Sequence, residues 1–238
     1  MIRAVIFDFN GVLVDDEPVH FALFREILAE EGIDLTEERY YGELLGYDDR
    51  GSFEVALRAA GHATGRARVD ELIARKAMRY KTLAEGGLRI FPGAAGSVVA
   101  LAERWPVAVC SGALRPEIEF ALERMKVRES VAVIVSAEDT TRGKPDPEGY
   151  LLALERLRSP QNAAFGTLDP RECLVVEDSQ AGLVSARAAG MRTLGVTHTY
   201  PVATLKDAGA QHVIEGLAQL TADWVEAIYG NGSEDPQR

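Results

Sequence analysis

The stretch FDFNGVLVDD, residues 7–16, joins an apolar run to an acid-rich turn. The apolar residues 4–7 predict a buried strand, and Asp8 follows directly at its carboxyl end. Parallel α/β sheets bind ligands beyond the carboxyl ends of their strands. Asp8 is therefore a candidate nucleophile or metal ligand. Two residues later, where a second acid would be useful, the chain holds Asn10.

Polar side chains also follow other strand-like segments. Ser111 and Gly112 follow PVAVC, Glu177 and Asp178 follow ECLVV, and Lys144 lies in the loop TRGKPDPEGY before a helical pattern. Converging carboxylates repel each other unless a cation lies between them, and oxygen-only ligation suits Mg²⁺. A lysine, a hydroxyl group and backbone N–H groups would hold an anion beside that metal. Together these groups could catalyse the attack of a carboxylate on a phosphoryl group.

Strand and helix patterns alternate along most of the chain, which predicts βαβ units. The predicted strands are 3–7, 106–110, 131–135, 172–177, 192–196 and 211–214. The predicted helices between them lie near 93–104, 115–126, 147–157, 180–189 and 216–229. The expected fold class is α/β, a Rossmann-like, doubly wound parallel sheet with helices on both faces.

One long segment breaks this alternation. After the first strand only helical patterns occur, over 18–31, 37–45, 51–61 and 69–84. They predict an inserted α-helical cap at 16–89 and a core made of 1–15 and 90–238. Residues 158–170 predict a surface loop and residues 230–238 a polar tail.

Composition limits the possible partners. The chain has 238 residues, and its formal net charge of −11 argues against a nucleic-acid partner, which would require clustered Lys and Arg. No apolar run has the length of a membrane span, and no signal segment follows Met1. Cys110 and Cys173 are interpreted as buried free thiols. We expect a cytoplasmic protein, a monomer or weak homodimer, without a membrane partner.

Four motifs, FDFNGVLVDDEP, VCSGA, GKPDP and VVEDSQAG, occur in this order. Over nearly the whole chain they resemble the haloacid dehalogenase superfamily. Within it they most resemble the helical-cap subfamily, in the branch of β-phosphoglucomutase and phosphoglycolate phosphatase. The resemblance implies that Asp8 becomes an aspartyl phosphate and that Ser111 and Lys144 bind the phosphoryl oxygens. It also implies the following Mg²⁺ ligands: Asp8, the main-chain carbonyl of Asn10, and Asp178 with Glu177 close by.

Three residues of the predicted cap resemble the β-phosphoglucomutase arrangement more loosely. They are His20 in EPVHFALF, Arg50 in LLGYDDRGSF and Lys76 in LIARKAMRY. The resemblance implies that the histidine assists proton transfer. It also implies that the arginine grips a distal phosphate and that the lysine contacts the sugar.

Asn10 departs from the family pattern, which has Asp-x-Asp at positions 8 to 10. An amide has no proton to exchange near neutral pH, and general acid–base assistance is typically worth about 10² to 10⁴ in rate. The chain could be a working phosphatase that uses Asp15, Asp16 or His20 instead, or a substrate with a good leaving group. It could also be a slow or inactive phospho-ligand-binding protein, or carry an asparagine introduced to trap a state.

The leading expectation is a Mg²⁺-dependent phosphatase of a small phosphorylated metabolite, such as a sugar phosphate or phosphoglycolate. A phosphosugar mutase is the alternative within the family. A dehalogenase would attack carbon, needs no Mg²⁺ and would leave Glu177 and Asp178 without a purpose.

Overall fold

The computed structural model describes residues 1–45, 47–159 and 167–230. In this part of the chain six strands form one sheet in the order β3-β2-β1-β4-β5-β6. Every neighbouring pair is parallel. The strands are β1 (Ala4–Phe7), β2 (Val107–Cys110), β3 (Val133–Val135), β4 (Cys173–Glu177), β5 (Arg192–Val196) and β6 (His212–Ile214). The α/β class predicted from the sequence is confirmed.

Helices cover both faces of the sheet. They are α5 (Ala94–Ala102), α6 (Arg115–Arg124), α7 (Glu148–Leu157), α8 (Gln180–Ala188), α9 (Val202–Asp207) and α10 (Ala222–Tyr229). Successive strand side chains point to opposite faces. Val5 and Phe7 accordingly enter one buried apolar cluster, whereas Ala4 and Ile6 enter another. Burial on both faces explains why the strands appear in the sequence as continuous apolar runs.

The segment between β1 and α5 is helical. It contains α1 (Glu17–Glu30), α2 (Glu37–Arg39) with a π-helical turn at Tyr40–Leu44, α3 (Asp49–Ala59) and α4 (Arg66–Gly87). We call residues 17–87 the helical insertion. It has its own apolar cluster, with Phe24 from α1, Phe53 from α3 and Leu72 from α4. The division into a core domain and a cap domain stays a prediction.

Two details of the chain differ from the expected pattern. Helix α9 was not predicted, and the single helix expected over 216–229 is interrupted. A 3₁₀ turn at Leu217–Gln219 comes first, and α10 begins only after Thr221, whose Oγ1 accepts a hydrogen bond from the Trp224 backbone N–H at 3.2 Å. Such N-capping favours a new helix start.

Parts of two further predictions lie outside the described residues. These are 160–166 of the expected loop and 231–238 of the expected tail. Within the described residues, no helix is both long and apolar enough to cross a membrane. Cys110 and Cys173 are buried and free, as expected.

Candidate active site

A cavity of about 130 Å³ lies where the carboxyl ends of the strands meet the helical insertion. Strand order explains its composition, because β1 lies between β2 and β4 and the residues that follow these three strands meet at one edge. The predicted site residues that line it are Asp8, Asn10, Ser111, Gly112, Lys144, Asp178 and, from the insertion, His20.

Lys144 links two acids at the base of this cavity. Its Nζ lies 2.5 Å from Oδ1 of Asp8 and 2.6 Å from Oε1 of Glu177. Burial alone would lower the pKa of Lys144, but the two carboxylates raise it well above its usual value. Lys144 is therefore a fixed cation next to the Asp8 carboxylate.

Glu177 is fully buried and holds Lys144 in place. Its Oε1 also accepts a hydrogen bond from the Tyr150 hydroxyl at 2.8 Å. Its Oε2 accepts from the backbone N–H groups of Asp178 and Ser179 and from the Ser179 hydroxyl. Both oxygens are thus occupied by donors, which explains how a buried carboxylate is tolerated. The role of Glu177 as a Mg²⁺ ligand stays a prediction.

Asp8, Glu177 and Asp178 are buried together, and one oxygen from each lies within 4.8 Å of the others. Burial, with the charge of Glu177 added, raises the pKa of Asp8 to about 7 against the opposing effect of Lys144. Burial and the two neighbouring acids raise the pKa of Asp178 well above its usual value. A cation would relieve this repulsion, and an all-oxygen donor set fits Mg²⁺.

Gly11 allows Asp178 to approach the turn after β1. Its φ is +79°, and a Cβ atom built there would lie 2.1 Å from Oδ2 of Asp178. Asp178 also accepts a hydrogen bond from the Thr199 hydroxyl. Thr199 lies just beyond β5, so the rule of examining residues after each strand could have found it.

The Asn10 side chain is held at both ends. Its Oδ1 accepts a hydrogen bond from the Ser111 hydroxyl at 3.2 Å. Its Nδ2 donates to both carboxylate oxygens of Asp16, at 3.1 and 3.0 Å. The amide therefore connects the residue after β2 with the start of the helical insertion.

Asp16 and His20 continue this network into the insertion. Oδ2 of Asp16 accepts from the Tyr80 hydroxyl at 2.5 Å and lies 3.2 Å from Nε2 of His20. Nδ1 of His20 lies 2.7 Å from Nζ of Lys76, which also lies 2.6 Å from Oδ1 of Asp49. A proton on Nε2 of His20 can be donated to Asp16, and Nδ1 can accept from Lys76 only while the ring is neutral.

The charges in this network shift two pKa values. Burial would raise the pKa of Asp16, but His20 and the hydrogen bonds lower it below its usual value. Burial and Lys76 would lower the pKa of His20, but Asp16 and Glu17 raise it overall. Of the three substitutes suggested for the missing acid, Asp16 and His20 contact Asn10. Asp15 instead pairs with exposed Arg89 at 2.8 Å.

Two predicted substrate residues lie outside the cavity lining. Arg50 is 38% exposed and pairs with Asp70 at 2.5 Å. Lys76 is completely buried behind His20 and Asp49. Their proposed contacts with substrate stay predictions, and this arrangement places neither of them against the space a substrate would fill.

The cavity lining also includes acids that sequence reasoning missed. Glu17, Asp48, Asp49 and Glu117 all face it. Asp48 caps α3 by accepting from the Gly51 backbone N–H at 2.7 Å. In the sequence these acids look like ordinary helix-start residues, so no local signal separates them from capping groups.

The sequence of the chain matches one known protein family over most of its length. The family model for haloacid dehalogenase-like hydrolases matches residues 2–190. The chain belongs to the haloacid dehalogenase-like hydrolase family. This confirms the resemblance carried by the four motifs and identifies the chain as an enzyme of the hydrolase class.

Two curated relatives within the haloacid dehalogenase-like hydrolases have named activities. The phosphorylated carbohydrates phosphatase of Thermotoga maritima is 28% identical over 83% of this chain and 87% of its own length. The beta-phosphoglucomutase of Bacillus subtilis is 29% identical over 93% of both chains.

A solved structure of a family member has the same fold. The crystal structure of CbbY from Rhodobacter sphaeroides in complex with phosphate is 28% identical and has a TM-score of 0.76. The match covers 92% of this chain and 96% of that one. A protein that was crystallised in complex with phosphate therefore shares the fold of this chain.

Proposed function

We propose that the protein is a Mg²⁺-dependent phosphatase of a small phosphorylated metabolite. The observation that carries this proposal is the position of Asp8, 2.5 Å from Lys144 and beside Asp178 at the carboxyl edge of the sheet. A carboxylate nucleophile, a fixed cation and a cluster of oxygen ligands are the parts that phosphoryl transfer needs.

In the proposed reaction, an Asp8 oxygen attacks phosphorus and the bond to the leaving oxygen breaks. Lys144 and the Ser111 hydroxyl bind the phosphoryl oxygens, with Gly112 leaving space for them. Asp8, Asp178, the Asn10 carbonyl and Glu177 are the groups that would hold Mg²⁺, which neutralises charge on the transferring group when bound. Water then hydrolyses the aspartyl phosphate, and closure of the helical insertion excludes bulk water from the earlier step.

Asn10 limits the proton transfers in this reaction. Its amide cannot protonate a leaving oxygen, and its two ends are already bound to Ser111 and Asp16. Either a neighbouring group assists the leaving oxygen, or the substrate has a leaving group that needs little help. His20 lines the cavity and contacts Asn10, so it is the first neighbour to test.

The named activities of the relatives favour a phosphorylated carbohydrate as substrate. One relative is called a phosphorylated carbohydrates phosphatase and another a beta-phosphoglucomutase. A mutase would have to grip a second phosphate, for which Arg50 was the candidate, but Arg50 pairs with Asp70 outside the cavity lining. A cytoplasmic location and a monomer or weak homodimer stay predictions.

The test is phosphate release from sugar monophosphates with and without Mg²⁺, for the native protein, Asn10→Asp and Asp8→Asn. We expect release by the native protein, none by Asp8→Asn, and a gain below about tenfold for Asn10→Asp, since general acid assistance would already come from elsewhere. Activity in Asn10→Asp alone would instead identify the native chain as a slow or ligand-binding family member. Little phosphate release, together with isomerisation of the sugar phosphate that depends on a bisphosphate activator, would identify a mutase.

A further inference from the structure

Glu117 lines the cavity, and one oxygen of its carboxylate is buried without a hydrogen-bond partner among the described residues. Resting on the proposed phosphatase function, we infer that the leaving group of the substrate donates a hydrogen bond to Oε1 of Glu117. We further infer that this leaving group carries no negative charge besides the phosphate that is removed. The substrate class is then a polyol or amino-polyol monophosphate, and not a sugar bisphosphate or a phosphorylated carboxylic acid.

The first support is the geometry of Glu117 itself. It lies in the first turn of α6, lines the cavity and is only 8% exposed. Its Oε2 accepts a hydrogen bond from the Leu114 backbone N–H at 3.2 Å, which fixes the side chain. Its Oε1 is buried and has no hydrogen-bond partner among the described residues. Buried carboxylate oxygens are rarely left without a donor, so a ligand donor would complete this site.

The second support is the negative charge of the acidic side chains that line the cavity with Glu117. Glu17, Asp48 and Asp49 line the same cavity as Glu117. Asp48 lies over the phosphate side of the site, because a Cβ atom added to Gly112 would lie 3.2 Å from its Cβ. A second phosphate or a carboxylate would face these acids, and juxtaposed like charges are strongly unfavourable.

Of these acids only Asp49 is paired with a described basic residue, since its Oδ1 lies 2.6 Å from Nζ of Lys76. Among the described basic residues that line the cavity, Lys144 is already bound to Asp8 and Glu177 at the proposed phosphoryl site. Arg142 is 68% exposed and pairs with Asp146 at 3.1 Å and Glu148 at 3.2 Å. No arginine or lysine in the described lining is therefore directed at a second anionic group.

His20, the remaining basic residue of the lining, is also engaged. It contacts Asp16 through Nε2 and Lys76 through Nδ1. Lys76 lies within the electrostatic reach of Glu117, but its Nζ is bound to Asp49 and His20. Burial raises the pKa of Glu117 in spite of Lys76 and His20. Hydroxyl and ammonium groups are the ligand groups that both Glu117 and the neighbouring acids would accept.

The experiment compares two substrates that differ at one end. Glucitol 6-phosphate and 6-phosphogluconate have the same carbon chain and phosphate, but the second ends in a carboxylate. We expect kcat/KM for glucitol 6-phosphate to be higher by about 30-fold or more, as like-charge contacts in partly buried sites imply. Glucosamine 6-phosphate should be accepted like glucose 6-phosphate, because an ammonium group can also donate to Glu117. Equal rates for glucitol 6-phosphate and 6-phosphogluconate would overturn the inference.

Glu117→Gln tests the residue itself. The amide keeps one oxygen for the Leu114 N–H and turns an N–H donor toward the cavity, where the native chain has an acceptor. We expect the preference for glucitol 6-phosphate over 6-phosphogluconate to fall about tenfold, the size of one hydrogen bond to a charged group. Glu123→Gln, an exposed position on the same helix, removes the same charge and should keep the native preference. An unchanged preference in Glu117→Gln would exclude Glu117 as the selecting residue.

Measurements of substrate binding show whether this inference or the phosphatase proposal has failed. Calorimetry on Asp8→Asn with Mg²⁺ measures the affinity for both compounds without turnover. Phosphate release by the native protein without any charge preference would overturn the inference and leave the phosphatase standing. Preferential binding of glucitol 6-phosphate without release from any compound would overturn the phosphatase proposal and keep the charge selectivity. If Glu117→Gln fails to fold, the native substrate preference and this binding ratio still decide the question.

Discussion

The side-chain amide nitrogen of Asn10 faces one buried acid, since Nδ2 lies 3.1 and 3.0 Å from the two carboxylate oxygens of Asp16. Against the effect of burial, His20 and the hydrogen bonds hold the pKa of Asp16 below its usual value, and Asp16 is 1% exposed. Two carboxylates at this separation would repel each other. The amide at position 10 and the acid at position 16 therefore fit one another, and each residue limits what the other can be.

Exchanging the two groups tests this dependence. Asn10→Asp should lower the free energy of unfolding by about 3 kcal/mol, because it places a second carboxylate against Asp16 in a buried site. The double variant Asn10→Asp/Asp16→Asn should recover at least half of that loss, since one acid and one amide face each other again. Urea denaturation measures both. Asp15→Asn is the control and should cost less than about 1 kcal/mol, because its partner Arg89 is exposed. If the double variant is no more stable than Asn10→Asp, the proposed dependence between positions 10 and 16 is wrong.

Substitutions at Gly11 and Gly32 distinguish the effect of backbone strain from the effect of a side-chain contact at the candidate site. Gly11 and Gly32 have similar positive φ values, +79° and +75°. A Cβ atom on Gly11 would meet Asp178, whereas one on Gly32 would meet nothing within 4 Å. Gly32→Ala should therefore cost only about 1 kcal/mol of stability and keep native phosphate release. Gly11→Ala should show the same backbone cost and also lose phosphate release by about 100-fold or more, because displacing a charge-stabilising group costs that much. Equal phosphate release by Gly11→Ala and Gly32→Ala would show that the close approach of Asp178 to Gly11 does not matter for activity.

Mg²⁺ should stabilise the folded protein, because its proposed ligands meet only in the native state. At a concentration about 100 times its Kd, it would add about 2.7 kcal/mol to the free energy of unfolding. Thermal unfolding with Mg²⁺ and with EDTA measures the effect. Asp178→Asn should abolish most of the difference, and Asp223→Asn, 89% exposed on α10, should leave it intact. Full stabilisation in Asp178→Asn would remove Asp178 from the ligand set.

The hydrogen bonds to the Asp139 carboxylate lead us to expect that the protein loses stability at acidic pH. This carboxylate accepts hydrogen bonds from Arg156 and Arg115, each at 2.6 Å, and from Ser136. The bond from Arg156 is the largest cause that lowers its pKa, against the effect of burial. Because the folded pKa lies below the unfolded one, this stabilisation is present above about pH 4 and is lost as the pH falls through the folded pKa.

Asp139→Asn should therefore cost about 2 kcal/mol at pH 7 and distinctly less at pH 3. Urea denaturation at the two pH values measures the difference. Asp207→Asn, an exposed position on α9, is the control and should change stability little at either pH. A cost for Asp139→Asn that does not shrink at pH 3 would show that the charge of Asp139 is not the source of this stabilisation.

The sequence by itself determined the sheet and the edge at which the candidate site lies. Short segments rich in apolar residues marked all six strands within about two residues, because strands buried on both faces are largely apolar, although the edge strand β6 is only partly buried. Asp8, Ser111 and Asp178 follow such runs directly, and parallel strands bring their carboxyl ends to one edge. Lys144 was found through its motif, and the structure places it beside Asp8.

Only the tertiary structure decided which groups of the helices enter the cavity. Spacing along a helix indicates which residues share a face, but not which neighbour that face meets. Arg50 thus lies outside the lining, whereas Glu117, which looks like a capping residue in the sequence, lies inside it. The same holds for Asn10, whose effect depends on Asp16 and Ser111. Those contacts form only when the helical insertion and β2 pack around the turn after β1, since no local pattern encodes them.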